Sequence, residues 1–394
     1  MEEQLIAPSA AIEALERNIV EANAEVVEAW KHVLDAPNAP AVKGAYQRYA
    51  LAKMLNTQNN VLNTREALQT TTVFGTNYVK AMLGMSRQVF PRMFGTRLVS
   101  IQPMDRPTGQ IFYLNIKDDN GASLGVQPKD SAASWGYSQY QSSRLYSDHT
   151  TGEGGDIQRG MAFDITSQTV EVSKAKKLKV SASWELETDL RAYHDLSAMD
   201  LLSGAAVDQI AYEKDALIVR AVRDAAIANK TVTFGVAPDN TWTNGTWSKR
   251  LQRAILNADR HINRVSLRQP NVMVVGYDAM TELLDLGSFE FRPLSGWDQG
   301  LWALAPVGTL NSVYEVYMSR TIPDNEILIG RRGSGFLDAG IVYAPYVDLF
   351  ISDSFFDVET QKTTQSFASR YEIFTISNLL YARVVIDPNA TGIS

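Results

Sequence analysis

A helical pattern over residues 196–229 restricts most strongly how this chain can fold. Its apolar residues are spaced by three, four or seven, as on one side of an α-helix: Met199, Leu202, Ala206, Ile210, Leu217, Ala221 and Ala225. Gly204 weakens the pattern without ending it. A continuous helix of this extent is roughly 45–50 Å long, which exceeds the width of a small domain. We therefore expect it to act as a spine along which other elements pack.

Size and composition exclude several classes of protein. With 394 residues, the chain exceeds the size at which single hydrophobic cores usually stop growing, so we expect two or more lobes. Hydrophobic residues make up 45% and charged residues 21%, which excludes a disordered or collagen-like chain. Cysteine is absent, so disulfide bonds and thiolate metal sites are excluded and stability must come from packing and partners.

The chain is acidic, with a formal net charge of −7 and a pI of about 5.3. This charge argues against a protein that binds nucleic acid through a broad basic face. The charge is still compatible with a position close to nucleic acid. The first residues carry acids where a secretory signal carries Lys or Arg, and no apolar run approaches the roughly 20 residues of a membrane span. We expect a soluble protein, without membrane partners, that is made in a reducing cytoplasm.

A long two-stranded arm is predicted in the first half of the chain. Residues 117–160 are rich in Gly, Ser, Asp and Tyr and lack aliphatic periodicity, which is unusual for a loop of this length in a compact domain. Strand-like runs lie on both sides, GQIFYLNI before and MAFDITSQTVEVS after. A rigid corner precedes the first run, because Pro103 and Pro107 fix the backbone direction ahead of a turn at Gly109.

The N-terminal region is predicted to be helical over residues 9–57, with an interruption at Pro37 and Pro40. A short amphipathic helix is predicted at residues 77–94, just before the corner that opens the arm. These helices precede the strand-like runs of the arm.

An α/β lobe is predicted after the long helix. A helix at 246–263 is followed by a buried strand at 271–276 and by a second helix, opened by Asp278 as N-cap and closed by Gly287. The last third of the chain alternates short strands with turns: VYEVYMS, EILIGRRG, AGIVYAPYVDLF, SRYEIFTIS and LLYARVVI. Together these patterns predict the α+β class.

No catalytic, cofactor or metal site is predicted. The four histidines are far apart in the sequence and no HExxH motif or GxSxG motif occurs: His32, His149, His194 and His261. The glycine-rich segment 329–340 contains Arg331 and Arg332, but it lacks the ending of a phosphate-binding loop. We interpret it as a turn between two strands. Glu185 and Glu187, taken as neighbours on one face of a strand, leave open a carbohydrate-active enzyme with an acid and base pair.

Four segments resemble the T-even phage family of major capsid proteins. QPMDRPTGQIFYL at 102–114 resembles the start of that family's long loop region, and residues 169–204 resemble its entry into the long helix. LDAGIVYAPYVDL at 337–349 and ASRYEIFTI at 368–376 are similar to two later segments. The four segments keep the family's order over residues 102–386.

The resemblance implies the Hong Kong 97-like fold, with an N-terminal arm, a two-stranded E-loop, a peripheral P-domain carrying the spine helix, and an axial A-domain. It places Pro103, Pro107 and Gly109 as a hinge where the chain leaves the P-domain and enters the E-loop. The expected ranges are 1–75 for the helical N-terminal arm, 76–115 for the P-domain entry, 116–165 for the E-loop, 166–245 for the P-domain with the spine helix, 246–345 for the A-domain, and 346–394 for strands that return to the P-domain and the C-terminus.

Two departures from the family are expected. The stretch between Leu114 and Ile165 is shorter than its counterpart in the T-even head protein, which argues against that protein's insertion domain. Relatives lose an N-terminal segment to a protease that cuts after an aliphatic-x-Glu pattern. Residues 19–21 match this pattern weakly and Glu66 matches only at its Glu-Ala junction, so we expect an uncleaved arm.

The function implied by the resemblance is that of a major capsid protein of a tailed bacteriophage, located in the virion capsid. Its partners would be copies of itself as hexamers and pentamers, neighbouring capsomers, loosely contacted double-stranded DNA, and decoration, portal and scaffold proteins. The resemblance implies no catalytic residue, cofactor or metal. An encapsulin-like compartment shell of the same fold is the near alternative.

Two surfaces are expected to make contacts between subunits. The polar tip of the arm is predicted to pack on an adjacent subunit, because an isolated two-stranded ribbon is marginal in water. Four lysines precede a group of carboxylates and are either a solvated sheet face or charge partners of another subunit: Lys174, Lys176, Lys177 and Lys179. Strand alternation separates them into two pairs, and we predict that Lys174 and Lys176 face away from the core and form the interface.

Overall fold

The structure is a computed structural model that describes residues 16–35, 42, 44–68, 93–118, 161–172, 175–235, 244–266, 268–284, 289–291, 303–333, 340–352 and 354–387. Residues 16–22 are helical. The helices that follow are α1 (Ala24–Ala29), α2 (Lys31–Leu34), α3 (Ala45–Leu68), α4 (Trp184–His194), α5 (Ala198–Asn229), α6 (Asn244–Ser266) and α7 (Tyr277–Leu284). The predicted α+β class is confirmed.

The strands are β1 (Ser100–Ile101), β2 (Thr108–Asp118), β3 (Met161–Glu171), β4 (Lys176–Ser183), β5 (Thr231–Gly235), β6 (Val272–Val275), β7 (Phe289–Phe291), β8 (Leu304–Leu310), β9 (Tyr314–Ser319), β10 (Glu326–Gly330), β11 (Ile341–Ile351), β12 (Phe355–Asp357), β13 (Lys362–Thr375) and β14 (Tyr381–Asp387). They form a seven-stranded sheet, a five-stranded sheet and a two-stranded ribbon.

The long helix predicted at residues 196–229 is confirmed as α5, which has 32 residues and is about 48 Å long. Ser197 caps its N-terminus, with Oγ accepting a hydrogen bond from the backbone N–H of Asp200 at 3.4 Å. Lys230 already has extended backbone angles, and β5 begins directly after it. The helix therefore connects the two large sheets along its length.

The C-terminal half of α5 packs on the seven-stranded sheet, whose strand order is β5-β14-β10-β6-β9-β8-β7. Successive residues of β6 point to opposite faces, so Val272 and Val274 join the cluster on the α5 side. Met273 and Val275 join the cluster on the other side, where α6 and α7 pack. Burial on both faces explains why the strand reads as a continuous apolar run.

The N-terminal half of α5 packs on the five-stranded sheet, in which β1, β11, β13 and β12 are neighbours and β4 also pairs with β13. Ser203 Oγ donates to Gln365 Oε1 on β13 at 3.0 Å. Helix α3 packs on the same core with buried Leu51 and Leu55. The side-chain amide of Gln58 donates to the carbonyl of Leu349 on β11.

Two ionic groups connect α5 to the two sheets. Lys214 is fully buried and its Nζ lies 2.5 Å from Asp348 Oδ1 on β11. Arg223 forms a bidentate pair with Glu326 on β10, at 2.7 and 2.9 Å, and Arg383 of β14 adds a contact of 3.0 Å to the same carboxylate. Pairing is required because a buried charge without a partner is costly.

Several boundaries differ from those predicted. The seven-stranded sheet includes β5 and β14, and β11 lies in the five-stranded sheet; the expected domain ranges stay a prediction. Local patterns identify strands but carry no information on which distant strands pair. Helices α2 and α3 are separate, as the prolines predicted, but α3 continues to Leu68 instead of ending near residue 57.

The start of α7 corrects the predicted cap. The helix begins at Tyr277, so Asp278 lies within its first turn and is not the N-cap; a carboxylate there is still favourable near the helix N-terminus. A glycine is required at position 276, just before the helix, because a Cβ there would collide with the carbonyl oxygen of Pro323. Gly287 and nearly all of the helix predicted at 77–94 lie outside the described residues.

Candidate subunit interface

The predicted two-stranded arm is present as a ribbon of β2 and β3. The strands pair antiparallel along all eleven residues, from Thr108 opposite Glu171 to Asp118 opposite Met161. At the root of the ribbon, the buried side chains of Ile111 and Val170 join one cluster with Val342 of β11. The root of the ribbon thus packs against the five-stranded sheet.

Backbone hydrogen bonds hold the corner that precedes the ribbon. The N–H groups of Gln102 and Met104 donate to carbonyls of β11 at 3.0 and 2.9 Å, which extends the pairing of β1. The N–H of Val172 donates to the carbonyl of Pro107 at 2.8 Å and fixes the other side of the root.

The predicted hinge residues lie within this fixed segment. A Cβ on Gly109 would lie 2.7 Å from Met104 Cε, so the absence of a side chain permits close packing at the corner. Pro103 is half-buried and Pro107 is exposed. The hinge role of these three residues stays a prediction.

The orientation predicted for the lysine run is wrong at Lys176. Its Nζ lies 3.8 Å from the centre of the Tyr371 ring, and burial lowers its pKa. Lys176 shares the inward face of β4 with Leu178, whereas Lys177 and Lys179 are exposed. The apolar residues of the strand set its phase and place the even positions toward the core. Lys174 lies outside the described residues.

The pair of carboxylates considered for carbohydrate chemistry is not on a strand. Glu185 and Glu187 lie in the first turn of α4, which Ser183 caps by accepting a hydrogen bond from the N–H of Leu186. Glu187 Oε2 accepts from the N–H of Ala198 at 2.8 Å, so this carboxylate caps α5. The sequence contains the signal for this arrangement, because a serine followed by acids is typical of a helix N-terminus.

The arginines of the glycine-rich segment are engaged with the main chain. The guanidinium of Arg332 donates to the carbonyl of Arg97 at 3.2 Å. The backbone carbonyl of Arg332 accepts from Asn271 Nδ2 at 2.9 Å, and its backbone N–H donates to Asn271 Oδ1 at 2.8 Å. The guanidinium of Arg331 donates to the carbonyl of Gln269 at 2.8 Å. Burial lowers the pKa of both arginines. These contacts stabilise a connection after β10, and residues 334–339 lie outside the described part.

Sequence reasoning missed a buried anchor between α5 and the segment that leads to the arm. Asp215 is 3% exposed, and its two carboxylate oxygens accept hydrogen bonds from the N–H groups of Phe94 and Gly95 at 3.0 and 2.9 Å. Burial raises the pKa of Asp215 to about 7. A Cβ on Gly95 would lie 2.7 Å from Asp215 Oδ1, so a glycine is required for this approach.

Within the described ranges, no group of three or more His, Asp or Glu side chains is arranged to hold a metal ion. His32, His194 and His261 are described, and His149 is not. Among the helices that the structure describes, none is both long and apolar enough to span a bilayer.

Comparison with known proteins places the chain among phage capsid proteins. The family model described as Major capsid protein Gp23 matches residues 76–158 and 130–390. The major capsid protein of Vibrio phage KVP40 is 27% identical over 208 residues, which cover 48% of this chain and 40% of the relative. That of Serratia phage KSP90 is 22% identical over 314 residues, covering 68% of this chain and 70% of the relative. The chain thus spans about four-tenths of the first of these relatives.

Solved structures with a similar chain trace include the capsid of Cyanophage P-SCSP1u, with a TM-score of 0.43, 10% identity, and coverage of 74% of this chain and 87% of that chain. They also include the encapsulin complex from Synechococcus elongatus, with a TM-score of 0.44, 12% identity, and coverage of 84% and 97%. The match to the family model extends over more than half of the chain. The chain therefore belongs to the Major capsid protein Gp23 family.

Proposed function

We propose that the chain is the major capsid subunit of a tailed bacteriophage, whose copies assemble as hexamers and pentamers into an icosahedral head around double-stranded DNA. The ribbon of β2 and β3 is the observation that supports this proposal most directly. Its root is anchored by the buried residues Ile111 and Val170, and an isolated two-stranded ribbon is marginal in water. In a family of shell proteins, another copy of the chain supplies the surface that the outer ribbon needs.

The two large sheets suit a subunit that keeps its shape while its neighbours vary. Helix α5 joins the sheets through a buried ionic contact at Lys214 and a partly buried one at Arg223. A closed ring of identical subunits uses heterologous interfaces, and links between rings must accept different curvature. The joined sheets supply the constant surfaces that a ring needs, and the ribbon supplies a link that accepts different curvature between rings.

The acidic balance of the chain supports loose contact with packaged DNA. With a net charge of −7, the subunit cannot neutralise many phosphates, so counterions must compensate most of the DNA charge. Shells emptied of DNA should therefore keep their form at physiological salt.

Decoration, portal and scaffold proteins belong to the proposal as further partners.

Shortening the arm is expected to abolish shell closure without unfolding the subunit. Asp118 and Met161 are paired across the ribbon, so an Asn-Gly turn can join them in place of residues 119–160. The subunit should keep its circular dichroism spectrum, because the described core lies outside this segment. Sedimentation velocity then measures the loss of shells. Closed shells from the shortened chain would contradict a role of the arm in joining subunits.

Electron microscopy of purified particles, together with their nuclease-protected DNA, tests the proposed function. The expected result is closed icosahedral particles built from this chain and, from infected cells, filled with double-stranded DNA. Particles that enclose protein cargo and no genome would favour a compartment shell of the encapsulin type. A soluble monomer with glycan-hydrolysing activity would overturn both.

A further inference from the structure

Helix α4 exposes apolar side chains to an unusual degree. None of its eleven residues is buried in the described structure, and Tyr193 is 82% exposed, Trp184 59% and Leu186 45%. A helix of this length is marginal in water when it does not pack, and contiguous exposed apolar residues mark interaction sites. Helix α4 therefore needs a surface beyond those that the described residues provide.

One side of α4 is already used within the chain. Glu187 accepts from the N–H of Ala198 at 2.8 Å and pairs with Arg191 at 3.0 Å, which fixes α4 beside the start of α5. The free side carries Glu185 and Asp189, which are four residues apart and exposed. This side is therefore acidic and is bordered by the exposed apolar residues.

The five-stranded sheet presents a complementary face. Strand register places Lys177 and Lys179 opposite Ala368 and Ser366 of β13, on the face directed away from α5. The same register puts Lys362 and Phe355 on this outer face, both exposed, with Phe355 at 67%. Its strands thus present three lysines and two exposed carboxylates, Asp357 and Glu372, so that basic groups outnumber acidic ones on this face.

Helix α4 cannot reach the outer face of its own sheet. Its contact with Ala198 holds it at the N-terminus of α5, and α5 packs on the opposite face of that sheet, for example through Ser203 and Gln365. An acidic helix and a basic sheet face that cannot meet within one chain can meet between two chains.

We propose that α4 of one copy docks on the outer face of the five-stranded sheet of a second copy. Glu185 and Asp189 then face the lysines of β4 and β13, and the apolar residues of α4 cover Phe355. The inference rests on the proposed shell function, since it names the partner as a second copy. The contact is heterologous, so each subunit supplies one helix and one sheet face and the contact repeats around a lattice.

Charge reversal tests this contact. Glu185→Lys with Asp189→Lys is expected to leave the subunit folded and to reduce the association constant for assembly about tenfold. Two exposed ion pairs together contribute up to about one order of magnitude to such a constant. Lys177→Glu with Lys179→Glu should do the same, and the combination of all four changes should restore assembly. Glu21→Lys with Asp324→Lys, an equal charge change at two exposed positions elsewhere, is the matched control and should assemble normally.

Cross-linking gives a second measurement that needs no closed shell. The natural chain has no cysteine, so Asp189→Cys and Lys179→Cys variants each carry one thiol. A short bismaleimide should cross-link the mixture of the two variants and neither variant alone. A wild type that forms no shells would overturn the proposed function, whereas wild-type shells with no rescue and no cross-link in the mixture would overturn the docking of α4.

Discussion

Replacing Lys214 with methionine is expected to lower the free energy of unfolding of the unassembled subunit by about 3–5 kcal/mol. Lys214 is completely buried, and its Nζ contacts both the carboxylate and the carbonyl of Asp348, at 2.5 and 2.9 Å. Without the lysine, a carboxylate that is 2% exposed remains in the core with no cation to pair with. Urea denaturation followed by circular dichroism measures the loss.

The matched variant for this prediction removes both charges. Lys214→Met with Asp348→Asn should recover much of the stability, because the penalty comes from the unpaired charge and not from the missing contact. Equal losses in the single and double variants would show that packing, and not charge, determines the effect at this position.

The buried anchor at Asp215 is expected to make stability depend on pH. Burial raises the pKa of Asp215 from its ordinary value of 3.8 to about 7, so the folded subunit binds this proton more tightly than the unfolded chain. The stabilisation from this group is fully present below about pH 4 and is lost as the pH rises through 7, a change of up to about 4 kcal/mol. The titratable groups that face it are Lys214 on α5 and Tyr343 on β11, and burial raises the pKa of Tyr343 so that its phenol stays neutral in this range.

Asp215→Asn should remove this dependence, since asparagine does not titrate. The difference in unfolding free energy between wild type and variant should shift between pH 4 and pH 7 and then become constant. Asp224→Asn, an exposed carboxylate on the same helix, should keep the wild-type profile. Parallel stability curves for Asp215→Asn and wild type would contradict a titrating anchor.

The elements with strong local patterns were the ones that the sequence predicted well. Helix α5 has a helical period over its full length and a serine cap, and the strand at β6 is a short apolar run. The arm was recognised from two strand-like runs around a polar segment. In each case the information lies within one stretch of chain.

The errors concern contacts between distant stretches. The inward direction of Lys176 depends on the packing of Leu178 against the core, which strand alternation alone does not fix. The role of Asp215 depends on Gly95, 120 residues away. Local patterns also could not predict that β5 and β14 pair. The sequence does contain the start of α4, because Ser183 and the acids that follow are typical of a helix N-terminus. The contact of Glu187 with the start of α5 is not contained in that local pattern.

The central claim is that copies of this chain assemble through the arm into a closed shell. A cryo-electron microscopy reconstruction of particles formed by the purified chain tests it directly. The account predicts an icosahedral lattice of hexamers and pentamers, in which the outer part of the ribbon of β2 and β3 contacts a neighbouring subunit. Particles in which this ribbon contacts only its own chain, or a chain that stays monomeric under all conditions of assembly, would contradict it.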